Sequence, residues 1–457
     1  MKRIVASVGL VALGTSGLQA DTASSLTSES TKPWSVSATL RGFYDDNINS
    51  APDNSNLIAA NGERYHRGSM GFEVSPAIAV SWPWEQTSLS LSYVYSFKDY
   101  QFAPIGNTGS NRTIDMTHAF NASLNHTFNE LYSLSVRDSF VIGQEPDFLR
   151  AGNTYSTFQR LAGNNTRNYG SANFDGQLTP LLGFEVGYGN TIYDYDADKY
   201  TFSPGNALPS ESGLLDRMEQ TIHLDSRWQF TPETVGVVGY QFSHVSYGGI
   251  GFFRIDNGQP IAPAGPGSPG RGTLPYTSNS RDNEGHYGYV GIDETFTPSL
   301  TGSFRVGARY TDYYNDSAMS SGVTPYAQVS LRWNYGIESY VEAGFTHDMA
   351  ATDLVGAGGS PGITLDSETS ALYASVNHRL FPNVYGSLSG SFQDSDYNGG
   401  EWNNKTDEFY TFGANLEYRV NNYLSTQLGY NYDRLKSDIA DRSFDRNRVY
   451  LGITASY

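Results

Sequence analysis

The last ten residues of the chain, Arg448-Val449-Tyr450-Leu451-Gly452-Ile453-Thr454-Ala455-Ser456-Tyr457, alternate between two sets of side chains. One parity is apolar: Val449, Leu451, Ile453, Ala455 and Tyr457. The other parity is mostly polar or small. Because successive side chains of a β-strand point to opposite faces, this stretch predicts a strand with one apolar face and one polar face.

The same alternation occurs further upstream. Leu89, Leu91, Tyr93, Tyr95 and Phe97 alternate with mostly serine neighbours. Phe120, Ala122, Leu124 and Phe128 alternate with Asn121, Ser123, Asn125 and Thr127. Soluble β-sandwiches alternate in the same way, so alternation alone does not decide between a sandwich and a membrane barrel.

The lengths of the connections favour a membrane barrel. Eight very short turns follow an aromatic or aliphatic residue, and all but one contain Pro or Asn: Trp82–Glu85, Phe128–Leu131, Leu178–Leu181, Phe230–Glu233, Phe296–Ser299, Tyr335–Glu338, Phe381–Val384 and Val420–Tyr423. Long polar loops alternate with them, at about residues 47–67, 143–165, 194–216, 248–281 and 351–366. Short periplasmic turns and long extracellular loops are typical of outer-membrane barrels.

These turns also give the number of strands. Eight hairpins, with one strand before them at Trp34–Asp45 and one after them at Phe444–Tyr457, make about eighteen strands. A sheet of that size would expose long edges unless it closed on itself. We therefore expect an all-β fold, a single transmembrane antiparallel β-barrel over residues 34–457.

The N-terminus has the pattern of an export signal. Lys2 and Arg3 precede a short apolar stretch, Ile4–Leu13, and small residues surround a cleavage site after Ala20. The stretch is too short to span a bilayer as a helix. We expect a signal peptide at residues 1–20, export through the Sec route, and a periplasmic lead-in at residues 21–33.

Composition excludes several classes of partner. The 457 residues carry a formal net charge of -18 and no cysteine. Such an acidic chain has no basic surface for nucleic acid, so no nucleic-acid partner is expected. Without cysteine there is no disulfide framework and no thiolate metal site. We expect no cofactor.

A family resemblance is carried by the opening strand, Leu40-Arg41-Gly42-Phe43-Tyr44-Asp45-Asp46-Asn47-Ile48, by the repeated rhythm of strands and turns, and by the terminal aromatic Tyr457. In these features the mature chain resembles the putative β-barrel porin type 2 family of outer-membrane proteins. The resemblance implies a location in the bacterial outer membrane and an association with exopolysaccharide or capsule loci. Tyr457 resembles the assembly signal of many barrels, which implies the barrel-assembly machinery as a partner.

The polar parity predicts which side chains line the lumen. The pore-lining candidates are Arg41, Arg305, Arg309, Arg332, Arg379, Arg419 and Arg448, with Asp293, Glu342 and Glu417. The arginines could form a basic ladder that favours anions or sugar-acid polymers. Alternatively they pair with carboxylates across strands and only hold the wall together, and this second interpretation is favoured. Tyr287, Tyr289, Tyr373 and Phe409 are the aromatic lumen candidates.

Three other features of the sequence resemble functional sites. Asp194–Asp198 and Asp394–Gly399 begin like calcium loops, but both lack the bidentate Glu, so no metal site is predicted. His223 shares the polar face with Asp225, yet no serine is singled out as its partner, so no catalytic residue is predicted. The loop at 248–281 either folds inward as a constriction or stays outside.

We therefore expect an outer-membrane channel for passive or facilitated passage of small polar solutes or saccharides. An outer-membrane component of exopolysaccharide export and a closed structural or adhesive barrel are the alternatives, and an enzyme is not expected. The expected partners are outer-membrane lipid and lipopolysaccharide, with polysaccharide as a further partner that the resemblance implies. The sequence leaves open whether copies of the chain assemble into a homo-oligomer.

Overall fold

The fold is described from a computed structural model of the chain. The described residues are 32–48, 50, 68–101, 114–143, 164–196, 201–203, 206–208, 215–248, 252–253, 255–256, 259–260, 276–315, 321–352, 354, 363–400, 402–440 and 442–457. The predicted signal peptide, most of the lead-in and most of the long loops, including that at 248–281, lie outside them.

Eighteen antiparallel strands form one sheet that closes on itself. They are β1 Trp34–Asp45, β2 Ser69–Pro83, β3 Thr87–Tyr100, β4 Ile114–Thr127, β5 Tyr132–Gly143, β6 Asn165–Gln177, β7 Leu182–Tyr195, β8 Arg217–Gln229, β9 Thr234–Tyr247, β10 Asn283–Thr297, β11 Leu300–Asp312, β12 Gly322–Gly336, β13 Ser339–Ala350, β14 Asp366–Phe381, β15 Val384–Asn398, β16 Thr406–Asn421, β17 Leu424–Ser437 and β18 Phe444–Ser456. The predicted barrel of about eighteen strands is confirmed.

The barrel closes where β1 pairs with β18, from Ser37 opposite Ser456 to Asp45 opposite Arg448. Side chains of the opening strand reinforce this seam. Asp45 accepts hydrogen bonds from the guanidinium of Arg446, the shortest at 2.6 Å, and from that of Arg448 at 3.0 Å. Closure leaves no unpaired edge strand in the described barrel sheet, and a sheet in lipid cannot tolerate such an edge.

The two residues after Asp45 extend the seam. Asp46 accepts two hydrogen bonds of 2.7 Å from Asn447, one from its backbone N–H and one from its side-chain amide. The side-chain amide of Asn47 donates to the carbonyl oxygen of Asp445 at 2.9 Å. The short motif that carried the family resemblance thus connects the first strand to the last.

All eight predicted short turns join neighbouring strands at one end of the barrel, called here the short-turn end; the opposite end is the loop end. In several turns a side-chain oxygen accepts backbone N–H groups that the sheet leaves unpaired. Asn129 Oδ1 accepts from Leu131 at 2.8 Å and from Tyr132 at 3.1 Å. Thr231 and Thr297 accept through Oγ1 in the same way. This capping explains why Thr or Asn recurs in these turns.

The outward face of the sheet is apolar, as the alternation predicts. On β18, Val449, Leu451 and Ile453 are 46%, 64% and 42% exposed, while the inward Phe444 and Tyr450 are buried. Large rings are concentrated near the short-turn end, among them Trp34, Trp82, Trp228, Trp333 and Tyr457. Rings at such a level match the boundary between hydrocarbon and headgroups.

Outside the barrel sheet, three short two-stranded ribbons pair Thr201–Ser203 with Asn206–Leu208, Phe252–Phe253 with Tyr276–Thr277, and Ile255–Asp256 with Gln259–Pro260. A 3-10 turn, Ser278–Arg281, precedes β10. Within the described ranges, no helix is long and apolar enough to cross a membrane.

Tyr457, the predicted assembly signal, lies at the seam where β1 pairs with β18, and its substitution tests that prediction. Its backbone exchanges hydrogen bonds of 3.0 and 2.8 Å with Val36, and its ring lies 6.0 Å from that of Trp34 and 6.4 Å from that of Tyr423. We expect Tyr457→Ser to remove most of the folded barrel from outer-membrane fractions, measured by heat-modifiable mobility on gels. Tyr423→Ser removes a ring of the same contact and should retain most of it. Equal losses from both variants would contradict a terminal signal.

Candidate functional site

The lumen is lined on one side by hydroxyl and amide side chains. On β1 to β6 most inward side chains are short, and we call these hydroxyl and amide residues the hydroxyl wall: Ser35, Ser37, Thr39, Ser75, Ser81, Ser88, Ser90, Ser92, Ser96, Asn121, Ser123, Asn125, Ser133, Ser135, Ser139, Ser171 and Asn173. The same inward faces also hold larger side chains, namely Arg41, Lys98, Arg137, Arg167, Phe43, Tyr100 and Tyr169. Some bond across strands, as where Ser139 donates to Asn121 at 2.8 Å. Short side chains leave the lumen wide here and present donors and acceptors to whatever passes.

A charged network occupies the inward face of β7 to β11. It consists of Glu185, His223, Arg227, Asp293 and Arg305. Arg227 lies between two carboxylates and donates to Glu185 at 2.9 Å and to Asp293 at 2.9 Å. Arg305 lies 2.8 Å from the other oxygen of Asp293, without the angle of a hydrogen bond, and donates to two backbone carbonyls. Each guanidinium is therefore matched by carboxylate charge.

The other predicted arginines are also ion-paired on the inward parity. The pairs are Arg41 with Glu73 at 3.4 Å, Arg309 with Asp348 at 3.3 Å, Arg332 with Glu342 at 3.2 Å, Arg379 with Glu338 at 3.4 Å, Arg419 with Glu417 at 3.3 Å and with Glu338 at 3.4 Å, and Arg448 with Asp45 at 3.0 Å. Their levels also differ, since Arg332, Arg379 and Arg419 lie near the short-turn end and Arg448 near the loop end. This arrangement matches the interpretation as wall-holding pairs better than a continuous basic ladder.

Sequence reasoning missed the charged residues at the loop ends of the strands. On the inward parity these are Arg167, Arg217, Arg446, Asp45, Asp115, Asp348, Asp407 and Asp433, all buried except Asp348, which is partly buried. Acidic residues outnumber basic ones in this set, which offsets part of the cationic excess of the predicted list. Following the strand parity to the end of each strand would have identified them, because the alternation continues there.

Inward tyrosines narrow the lumen between β6 and β14. The predicted Tyr287, Tyr289 and Tyr373 are buried there, and Phe409 packs with Leu435 and Phe444 at the loop end of β16 to β18. Tyr193 and Tyr247, which were not predicted, are buried too, and the guanidinium carbons of Arg217 and Arg281 lie 3.9 and 4.0 Å from their ring centres. The sequence therefore predicted only some of the inward aromatic side chains.

These tyrosines border a cavity of about 190 Å³ inside the barrel. Tyr247 and Tyr287 line it together with Asn283, Gln393 and the ion-paired Arg309, among others. Tyr287 donates to Asp348 at 3.1 Å, from β10 to β13. The lumen therefore contains polar space next to aromatic surface at this level.

His223 and the Asp394–Gly399 segment are integrated into the barrel wall, whereas residues 197 and 198 of the Asp194–Asp198 segment lie outside the described residues. Among the described residues, the side-chain partner of the His223 imidazole is Glu185, at 3.3 Å, and not Asp225. Glu185 also accepts a hydrogen bond from Arg227, so the imidazole is one part of an ion-paired wall. Asp225 accepts a hydrogen bond of 2.5 Å from Tyr289. Asp394 and Asp396 lie on the outward parity of β15, and Asp396 accepts from Thr406 at 2.7 Å. No cluster of three or more His, Asp or Glu within the described part of the chain is arranged to hold a metal ion.

Comparison with solved structures finds outer-membrane barrels of several kinds. OpdK from Pseudomonas aeruginosa, whose crystal structure contains vanillate, has a TM-score of 0.40 at 10% identity, over 93% of this chain and 99% of that one. OccAB4 from Acinetobacter baumannii has 0.39 at 12%, over 94% and 99%. The siderophore receptor PirA from Acinetobacter baumannii has 0.42 at 10%, over 94% and 81%. A likeness of this size carries no argument about solute or mechanism.

The search of curated proteins finds no match. A family model does match, over residues 271–457, and its description is Putative beta-barrel porin 2. This segment contains β10 to β18. Together with the closed eighteen-stranded sheet, the match supports a porin-like channel, and over residues 271–457 the chain is similar to the putative beta-barrel porin 2 family, as the sequence resemblance implied.

Proposed function

We propose that this channel admits small uncharged polar solutes of the saccharide class by passive diffusion along the hydroxyl wall. The observation that carries the proposal is the division of the lumen. Short hydroxyl and amide side chains predominate on the inward faces of β1 to β6, where Arg41, Lys98, Arg137 and Arg167 are the cations. Six of the seven predicted arginines lie on β11 to β18 and are paired with carboxylates.

Hydroxyl and amide groups suit a passing sugar because they both donate and accept hydrogen bonds. Each such contact replaces a contact with water, so its net free energy is small and the solute is not trapped. Paired arginines contribute less to an anion preference than free ones would, since the field of each is offset by a carboxylate within 4 Å. Diffusion down a gradient needs no cofactor.

The refolded protein in a planar bilayer should give steady open currents with weak ion selectivity. In proteoliposomes, neutral sugars should enter faster than sugar acids of the same size. Ser90→Trp places a large ring on the hydroxyl wall and should lower both conductance and sugar entry, whereas Leu91→Trp, on the lipid face of the same strand, should change neither. A silent bilayer from verified folded protein would contradict the proposal and favour a closed barrel.

Export through the Sec route, the partners and a role in exopolysaccharide export remain predictions that this proposal includes. The signal pattern at residues 1–20 supports export, and the resemblance of the opening strand supports an association with polysaccharide. The hydroxyl wall would also suit a chain of neutral sugars, because every unit would meet the same kind of surface.

A further inference from the structure

The lipid-facing surface of β5 contains a carboxylate where the neighbouring strands have apolar groups. Asp138 is the seventh residue of β5 and points outward, with Leu134 and Val136 on one side along the strand and Phe140 and Ile142 on the other. It is exposed, and among the described residues no cation pairs with it. A charged group facing hydrocarbon is costly and marks a functional surface.

The adjacent strand β6 holds this carboxylate in place beside a flat strip of small outward residues, Gly170 and Ala172. Asn168 on β6 donates its side-chain N–H to Asp138 Oδ1 at 2.9 Å. Gly170 is paired directly with Asp138, and a Cβ built on it would lie 3.3 Å from the same oxygen. Ala172 is the next outward residue of β6. Small residues at this point let another protein backbone approach closely.

A hydrogen-bond donor faces outward on the other side of the strip. Tyr188 is the seventh residue of β7 and is 42% exposed. Its hydroxyl oxygen accepts the side-chain N–H of Gln220 at 3.1 Å. A phenol can accept and donate at once, so its own O–H is left to donate outward.

We propose that two copies of this chain pair in the membrane through the lipid-facing surface of β5 to β7, with Tyr188 of each copy donating to Asp138 of the other. β5 and β7 follow the short turns Phe128–Leu131 and Leu178–Leu181, and the two residues hold the same position in their strands. A two-fold axis that is parallel to the barrel axis and passes beside β6 places β5 of each copy opposite β7 of the other copy. Both hydrogen bonds then form at one level.

A second copy fits this surface because the surface is complementary to itself. Acceptor and donor lie one strand to either side of β6, which is the arrangement that an isologous contact requires. Each copy removes the other's carboxylate from lipid, and Gly170 and Ala172 lie at the axis, where the backbones come closest. The inference is independent of which solute the channel carries.

A single cysteine near the axis tests the pairing directly, because the chain has no cysteine of its own. Gly170→Cys should form a disulfide-linked dimer when membranes holding the full-length protein are oxidised, seen on non-reducing gels. Ala414→Cys, an outward small residue on β16 across the barrel, should stay monomeric. Heat-modifiable mobility verifies that each variant is folded, and Ala172→Cys replaces Gly170→Cys if the latter fails to fold.

The predicted hydrogen bonds are tested in the same background. Adding Tyr188→Phe or Asp138→Asn to Gly170→Cys should lower the rate of cross-linking by about tenfold, since each removes or weakens a hydrogen bond to a charged group. A folded Gly170→Cys protein that cross-links no more than Ala414→Cys overturns the proposal. A cross-linked band of another mass would also overturn it, by showing an accessory protein on this surface.

Discussion

Replacing Asp45 with asparagine should lower the free energy of unfolding by about 3–5 kcal/mol, the cost of leaving buried charges without their partner. The Asp45 side chain is fully buried, and those of Arg446 and Arg448 are 4% and 14% exposed. Asparagine keeps the shape but removes the negative charge, and its amide N–H group can point at the two guanidinium groups. The variant therefore leaves two cations at the seam with too little compensation.

The measurement is the urea midpoint of the folded barrel in detergent micelles, with the slope checked for a change in cooperativity. Asp46→Asn is the matched control, because the groups of the described residues from which Asp46 accepts are the neutral backbone and amide N–H groups of Asn447, and the single side-chain oxygen of an asparagine can still accept one of the two. It should cost about 1 kcal/mol. Similar midpoints for the two variants would show that the Asp45 ion pairs do not stabilise closure.

The strands of this barrel could be predicted from the sequence because membrane and lumen impose opposite demands on alternate residues. In β18 every outward residue from Val449 to Ala455 is apolar, so the strand and its two faces follow from the pattern alone. The turns could be predicted for a similar reason. Where strands reverse, Pro fixes the φ angle of the turn, and Asn and Thr accept hydrogen bonds from backbone N–H groups that the sheet leaves unpaired. Asn129 and Thr231 do so through their side-chain oxygens.

Contacts across strands could not be predicted, because they depend on register and on which strands become neighbours. Arg446 and Asp45 are about 400 positions apart in the chain and meet only when the barrel closes. Arg227 reaches Asp293 across β9, a pairing that spacing along the sequence does not indicate. The sequence therefore predicts the inward arginines but not their partners, and only the geometry of the barrel distinguishes a basic ladder from a wall of ion pairs.

The charged network allows a direct test of how pairing controls selectivity. Glu185→Gln together with Asp293→Asn removes the two carboxylates that face Arg227, one of which, Asp293, also pairs with Arg305, while every side chain keeps its shape. Arg227 and Arg305 then lose the carboxylates that pair with them, while Asp175 and Asp225 remain as weaker acidic neighbours. At 4 Å in water an unpaired charge stabilises an anion by about 1 kcal/mol, about fivefold in local concentration, and more where water is partly excluded.

We expect the reversal potential of this double variant, measured in a salt gradient across a planar bilayer, to shift clearly toward anions relative to the weakly selective parent. Asp394→Asn with Asp396→Asn removes the same formal charge from the outward parity of β15 and should leave the potential unchanged, because the sheet separates those groups from the lumen. If the inward variant also stays unchanged, ions do not pass within reach of Arg227 and Arg305. The conducting path would then lie against the hydroxyl wall alone, with the charged network serving only to hold β7 to β11 together.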